Sequence, residues 1–88
     1  MTIIELESGD TPKAVWDAGD ALFKIQMKNR LDKLSVAEDD GEVLILEETP
    51  YGHRIMVRAF GDFEDGSGAA EWGEQFLSAI REEKETQP

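Results

Sequence analysis

The apolar positions of this chain alternate with polar ones near the start and recur at helical spacing near the end. Ile3 to Glu7 alternates weakly and is followed by Ser8-Gly9-Asp10, which predicts a short strand and a turn. Thr11-Pro12 then offers a capping threonine and a proline at the first helical position, so we predict a helix over residues 12–29. Phe23 to Lys28 alternates as a strand would, which leaves an extended segment as the alternative there.

Three strands are predicted in the middle of the chain. Leu34–Ala37 and Val43–Leu46 are apolar runs, and the acidic turn between them ends in Asp40-Gly41, a strong hairpin signal. A second turn over residues 49–52 leads to a third run over residues 54–60. One face of this last strand is predicted to carry Ile55, Val57 and Ala59, and the other Met56, Arg58 and Phe60. Together these runs predict three antiparallel strands in meander order.

A loop rich in glycine and acid over residues 61–68 precedes a helix that begins at Ala69. Its apolar residues recur three and four apart, at Ala69, Trp72, Phe76 and Ile80. We expect this stripe to pack on the sheet and Trp16 and Trp72 to lie in the core.

The predicted fold is a small single α+β domain over residues 1–81. Its three-stranded antiparallel meander, to which a short N-terminal strand can be added, packs against an N-terminal and a C-terminal helix. Residues 82–88 lose the apolar repeat and are expected to form a solvated C-terminal tail.

The net charge of the chain says more about its function than any sequence motif does. The chain has 20 acidic and 9 basic residues among 88, a formal net charge of −11. Phosphate and anionic lipid repel such a surface, so we expect neither direct nucleic-acid binding nor membrane attachment, and any partner chosen by charge is basic. The absence of cysteine excludes disulfides and thiolate chemistry, and the lack of a long apolar run or a signal-peptide pattern favours a cytoplasmic protein.

No group of residues predicts catalysis or metal binding. The single histidine, His53, lies where a turn meets a strand, and the chain has no Gly-x-Ser-x-Gly pattern. A calcium loop beginning at Asp62 fails because Gly66 occupies its fifth position and Gly73 its twelfth, where a glutamate belongs. We therefore expect no enzyme activity and assign no catalytic, cofactor or metal residue.

The acids are densest in two loops that the meander brings to the same end of the sheet. The predicted partner-binding residues are Glu38, Asp39, Asp40, Glu42, Asp62, Glu64 and Asp65. Carboxylates two residues apart on a strand are about 6.5–7 Å apart, close to the spacing of successive phosphates on an extended nucleic-acid strand. The pattern favours a non-catalytic inhibitor that presents carboxylates to the basic surface of a nucleic-acid-binding protein.

In size, acidity and lack of cysteine the chain is similar to phage-encoded anti-restriction and anti-CRISPR proteins, although no residue-level motif carries that likeness. The alternative is a protein-interaction or assembly module, homodimers included, that uses an apolar sheet face or the Trp72 helix. The acids would then serve solubility. Salt dependence separates the two hypotheses, since binding driven by charge weakens with ionic strength.

Overall fold

The computed structural model describes residues 1–63 and 68–86. Within these residues, four strands form one sheet, and three helices accompany it, with a single 3₁₀ turn at Leu31–Lys33. In chain order the elements are β1 (Thr2–Leu6), α1 (Pro12–Ala18), α2 (Ala21–Asn29), β2 (Leu34–Asp39), β3 (Glu42–Thr49), β4 (Gly52–Gly61) and α3 (Ala69–Thr86). The predicted α+β class is confirmed.

The sheet contains the predicted meander and one further strand. Its order is β1-β4-β3-β2, with β2, β3 and β4 antiparallel as expected and β1 added in parallel beside β4. Close approach of β1 depends on Gly61, which has a φ of 118°, because a Cβ at this position would overlap the carbonyl oxygen of Leu6. The sheet is therefore four-stranded and mixed, where the sequence indicated three strands with an optional fourth.

The N-terminal helical segment is two helices, so the predicted continuous helix over residues 12–29 is wrong in that respect. Gly19 and Asp20 are both extended, and the Asp20 carboxylate accepts a hydrogen bond from the Phe23 N–H at 2.8 Å. This is a new N-cap, so α2 begins as an independent helix. The extended alternative for residues 23–28 is excluded, because all of them lie in α2.

A β-bulge interrupts the pairing of β3 with β4. Leu46 pairs with Ile55 while Ile45 pairs with Val57, so Met56 is the extra residue on β4. The predicted placement of Ile55 on the same face as Val57 and Ala59 is therefore wrong: Val57 and Ala59 are fully buried, whereas Ile55 is 38% exposed. An extra residue moves every side chain beyond it to the other face of the sheet.

The helices pack on one face of the sheet, and the core lies between the two layers. At their closest point α3 crosses β2 and β3 at Gly73, where a Cβ would be 2.6 Å from Val43 Cγ2 and 2.7 Å from Val36 Cγ1. Trp16 and Trp72 are each 1% exposed, which confirms their predicted place in the core. Trp72 stacks on Phe76 with ring centroids 5.4 Å apart.

The last helix continues beyond the point at which the domain was expected to end. Residues 82–86, expected in a solvated tail, form the final turns of α3. Lys84 Nζ donates to the Lys28 carbonyl at 3.1 Å, which ties these turns to α2. Within residues 1–63 and 68–86, no helix has both the length and the apolar composition needed to cross a bilayer.

Candidate protein-binding surface

The β2–β3 hairpin positions the first group of predicted acids. Asp40 and Gly41 form its two-residue turn with φ values of 51° and 78°, as the Asp-Gly pair predicted. Side chains alternate along β2, so Glu38 points toward the helical layer while Asp39 points to the opposite side. Neighbouring acids of the sequence thus lie on different surfaces.

Glu38 is engaged within the fold. Its carboxylate accepts a hydrogen bond at 3.1 Å from the Ala70 N–H, in the first turn of α3. Unpaired N–H groups at a helix N-terminus favour an anion, so Glu38 serves as a cap provided by a distant strand. This contact joins residues 32 positions apart in the chain, so no local sequence pattern could indicate it.

Glu42 is also engaged. Arg58 donates to its two carboxylate oxygens at 2.7 and 2.8 Å, from Nε and Nη2. These hydrogen bonds, with the attraction between the two charges, lower the pKa of Glu42 and raise that of Arg58. Arg58 also lies 6.0 Å from the ring centroid of Phe60.

The other predicted acids fall into two groups. Asp39, Asp40 and Asp62 are exposed near the end of the sheet where β4 finishes, and none of them makes a salt bridge to another described residue. Glu64 and Asp65 lie outside the described residues. The structure therefore brings three of the seven predicted residues to this end as exposed carboxylates that make no salt bridge within the described residues, beside the engaged Glu42 and Glu38.

An apolar sheet face was expected only for the assembly alternative, without named residues; it lies opposite the helices, and we call it the open face. Leu44, Leu46 and Phe60 point to this side and are only half-buried, because the alternate residues of their strands face the core. Ile3, at 59% exposure, and Ile55 complete its mainly apolar centre, in which Arg58 lies between Ile3 and Leu44 and is paired with Glu42. The strand alternation contained this signal, but the helix-covered and open faces could not be distinguished without the positions of the helices.

Acidic side chains border the apolar centre. Glu5 on β1, Asp39 on β2 and Glu48 on β3 point to the same side and are exposed. We call these three the acidic border. An apolar centre inside a polar border is the usual anatomy of a protein-binding surface.

The described residues offer little for catalysis or metal binding. His53 is exposed and pairs with Glu48 across the sheet. Among residues 1–63 and 68–86, no three histidine or acidic side chains converge as metal ligands would.

Comparisons with known proteins do not extend this description. No family model matches the chain, and no curated protein or solved structure is significantly similar to it.

Proposed function

We propose that this protein is a non-catalytic inhibitor that binds the basic surface of a nucleic-acid-binding protein through its open face. The observation that carries the proposal is the apolar centre of this face, bordered by exposed carboxylates in a chain of net charge −11. Burying Leu44, Leu46 and Phe60 against a partner would supply affinity. The acidic border would supply orientation and a fast encounter.

The charge of the face selects the partner. Glu5, Asp39 and Glu48 would each need a cationic neighbour once the face is covered, because like charges across an interface are unfavourable. Surfaces that bind DNA or RNA carry clustered lysine and arginine, and they meet this requirement. Occupying such a surface would exclude the nucleic acid.

The exposed carboxylates at the end of the sheet support the same proposed function. Asp40 and Asp62, near Asp39 of the acidic border, extend the negative surface beyond it, and no described cation makes a salt bridge to any of the three. In the proposed complex they take the place of backbone phosphates. The paired Glu38 and Glu42 hold the structure that presents them.

A second function, self-assembly through the same face, is favoured by its apolar centre. Trp72 and Phe76 are buried in the core, so the α3 stripe is not free to act as the interface in this alternative. A symmetric pair of open faces would bring two acidic borders and two chains of charge −11 together. That repulsion makes the homodimer the less favoured of the two functions.

Affinity capture from a host lysate with charge-matched variants tests the proposal. The border variant carries Glu5→Lys, Asp39→Lys and Glu48→Lys; the control carries Glu71→Lys, Glu74→Lys and Glu82→Lys on the exposed side of α3. Both variants change the net charge equally. We expect the border variant to lose its partner and the control to keep it, with wild-type binding falling steeply as salt increases.

The captured protein is then tested for nucleic-acid binding. DNA or RNA should compete with the acidic protein for it, and a partner that binds both at once would contradict the inhibitor function. Light scattering of the purified protein tests self-assembly. A dimer that persists in high salt and dissociates on Leu46→Lys would favour the second function.

A further inference from the structure

A cavity lies at the end of the sheet where β4 begins, away from the Asp40-Gly41 turn. It has a volume of about 210 Å³ and opens between α2 and the first residues of β1 and β4. Its lining includes three methionines, an aromatic ring and two arginines: Met1, Met27, Met56, Phe23, Arg30 and Arg54. Ile55 of the open face also lines the cavity, but its arginines and methionines lie outside the open face and its acidic border.

The apolar part of the lining is unusual in composition. All three methionines of the chain line this one cavity, together with Phe23. Methionine side chains are flexible and polarizable, and proteins use them where an apolar surface must adapt to a ligand. The β-bulge turns Met56 toward the helical layer, where it packs against the core.

The charge of the lining is opposite to that of the protein. Arg30 Nε lies 3.2 Å from one carboxylate oxygen of Glu47, and Arg54 Nη2 lies 2.6 Å from the other. Two cations therefore share one nearly buried anion, which leaves a local charge of +1. No acidic side chain is among the described residues that line the cavity, although the chain has 20 acids.

Both arginines retain hydrogen-bonding capacity. A guanidinium has five N–H donors. The Arg54 side chain is 57% exposed and donates to Glu47 only from Nη2. Arg30 adds one bond, from Nη1 to the Gln26 carbonyl at 3.2 Å. Donors that remain beside a cavity with a mixed polar and apolar lining are suited to a carboxylate.

We propose that this cavity binds an apolar monocarboxylate. Its carboxylate accepts hydrogen bonds from Arg54 and Arg30, and its hydrocarbon part lies against Met1, Phe23 and Met56, above the fully buried Met27. A cavity of about 210 Å³ has room for about seven waters, at about 30 Å³ each, which corresponds to a chain of about six carbons. The same chemistry is offered by a free short-chain acid and by the C-terminal residue of a peptide.

Methionine methyl NMR tests this proposal, because every methionine reports on the cavity. Protein labelled with ¹³C at the methionine methyl groups is titrated with hexanoate and, separately, with hexan-1-ol, which has the same chain without the charge. We expect saturable shifts of the Met27 and Met56 signals with hexanoate at millimolar concentration and at least about tenfold weaker binding of the alcohol. Equal binding of the two, or no saturable shift with hexanoate, would overturn the proposal.

An arginine variant makes the test specific. Arg54→Gln should weaken hexanoate binding about five- to tenfold, while Arg81→Gln, an exposed position on α3 away from the cavity, should leave it unchanged. Unaltered hexanoate binding by a folded Arg54→Gln protein would contradict the assigned contact. The alcohol comparison uses the wild-type chain and does not depend on how the variant folds.

A second pair of ligands distinguishes the sources. N-acetyl-leucine represents a peptide C-terminus, and N-acetyl-leucine amide is its neutral counterpart. Tighter binding of N-acetyl-leucine than of hexanoate supports a C-terminal residue as ligand, and the reverse order supports a free acid. The amide should bind more weakly than the acid, and equal binding of amide and acid would contradict recognition of the carboxylate.

Discussion

The two faces of the sheet are built from the same strands and differ in what covers them. On the helix-covered face, Val43, Ile45 and Val57 are fully buried beneath α3 and its neighbours. On the open face, Leu44 and Leu46 alternate with them and remain half-buried, with no helix above. One face therefore supplies stability, and the other is available for a partner.

The two faces of the sheet also differ in what their acidic side chains contact. Glu38, on the helix-covered side, is tied to the N-terminus of α3, whereas Asp39, on the open side, is exposed. Carboxylates that are adjacent in the sequence thus differ in role, since one caps a helix and the other is exposed to solvent. Substitutions matched across the sheet should separate stability from binding.

The largest expected difference in stability loss is between the alanine variants of two phenylalanines. Phe76→Ala should destabilise the domain by about 3–5 kcal/mol, because Phe76 is fully buried and stacks on Trp72. Phe60→Ala on the open face should cost less, about 1–2 kcal/mol, since its ring is partly exposed and no described helix covers it. Urea unfolding of the two variants measures both values, and equal losses would contradict the division between the faces.

A second contrast concerns the closest approach of the two layers. Gly73→Ala would place a methyl group 2.6 Å from Val43 Cγ2, so packing strain of about 1–3 kcal/mol should exceed the gain in helix propensity of about 1 kcal/mol. A net loss of up to about 2 kcal/mol is expected in urea unfolding.

Combining Gly73→Ala with Val43→Ala controls for this clash. The cost of Gly73→Ala should be smaller in the Val43→Ala background, because the nearest methyl group is gone. Because Val36 Cγ1 lies at 2.7 Å, Val36→Ala is combined with Gly73→Ala in the same way, and additive losses in both backgrounds would mean that α3 moves away from the sheet.

The sequence predicted those parts of the fold that depend on neighbouring residues. Asp40-Gly41 defined the β2–β3 hairpin, and the spacing of Trp72, Phe76 and Ile80 defined the core side of α3. The separation of α1 from α2 was missed, although Asp20 is a capping residue in front of Phe23, because the apolar pattern runs through the break.

Long-range features could not be predicted in the same way. The parallel pairing of β1 with β4 and the capping of α3 by Glu38 both join distant parts of the chain. The bulge at Met56 changes the face on which the later residues of β4 lie. Without it, the register set by the Leu46–Ile55 pair would place Arg58 opposite the buried Val43. With the bulge, Arg58 lies on the open face and can reach Glu42.

The helix cap predicts a smaller contrast between adjacent acids. Glu38→Ala should lower the free energy of unfolding by about 1 kcal/mol, because the Ala70 N–H loses its acceptor at the start of α3. Asp39→Ala should change it by less than about 0.5 kcal/mol, since Asp39 is exposed. Its effect should be on partner affinity, and a stability loss equal to that of Glu38→Ala would contradict the assignment of the two sides.

The smallest expected effect is the pH dependence of the open-face ion pair. Because Arg58 lowers the pKa of Glu42 in the folded state, Glu42 contributes stability that is complete above its unfolded pKa of about 4.3. That contribution is lost as the pH falls through the lowered pKa of the folded state. The urea midpoint of wild type, compared with Glu42→Gln from pH 7 to pH 3, should show an advantage that is constant above about pH 5 and shrinks below about pH 4. A difference independent of pH would mean that Arg58 does not distinguish the charged from the neutral carboxyl. The ion pair would then be only a packing contact on the open face.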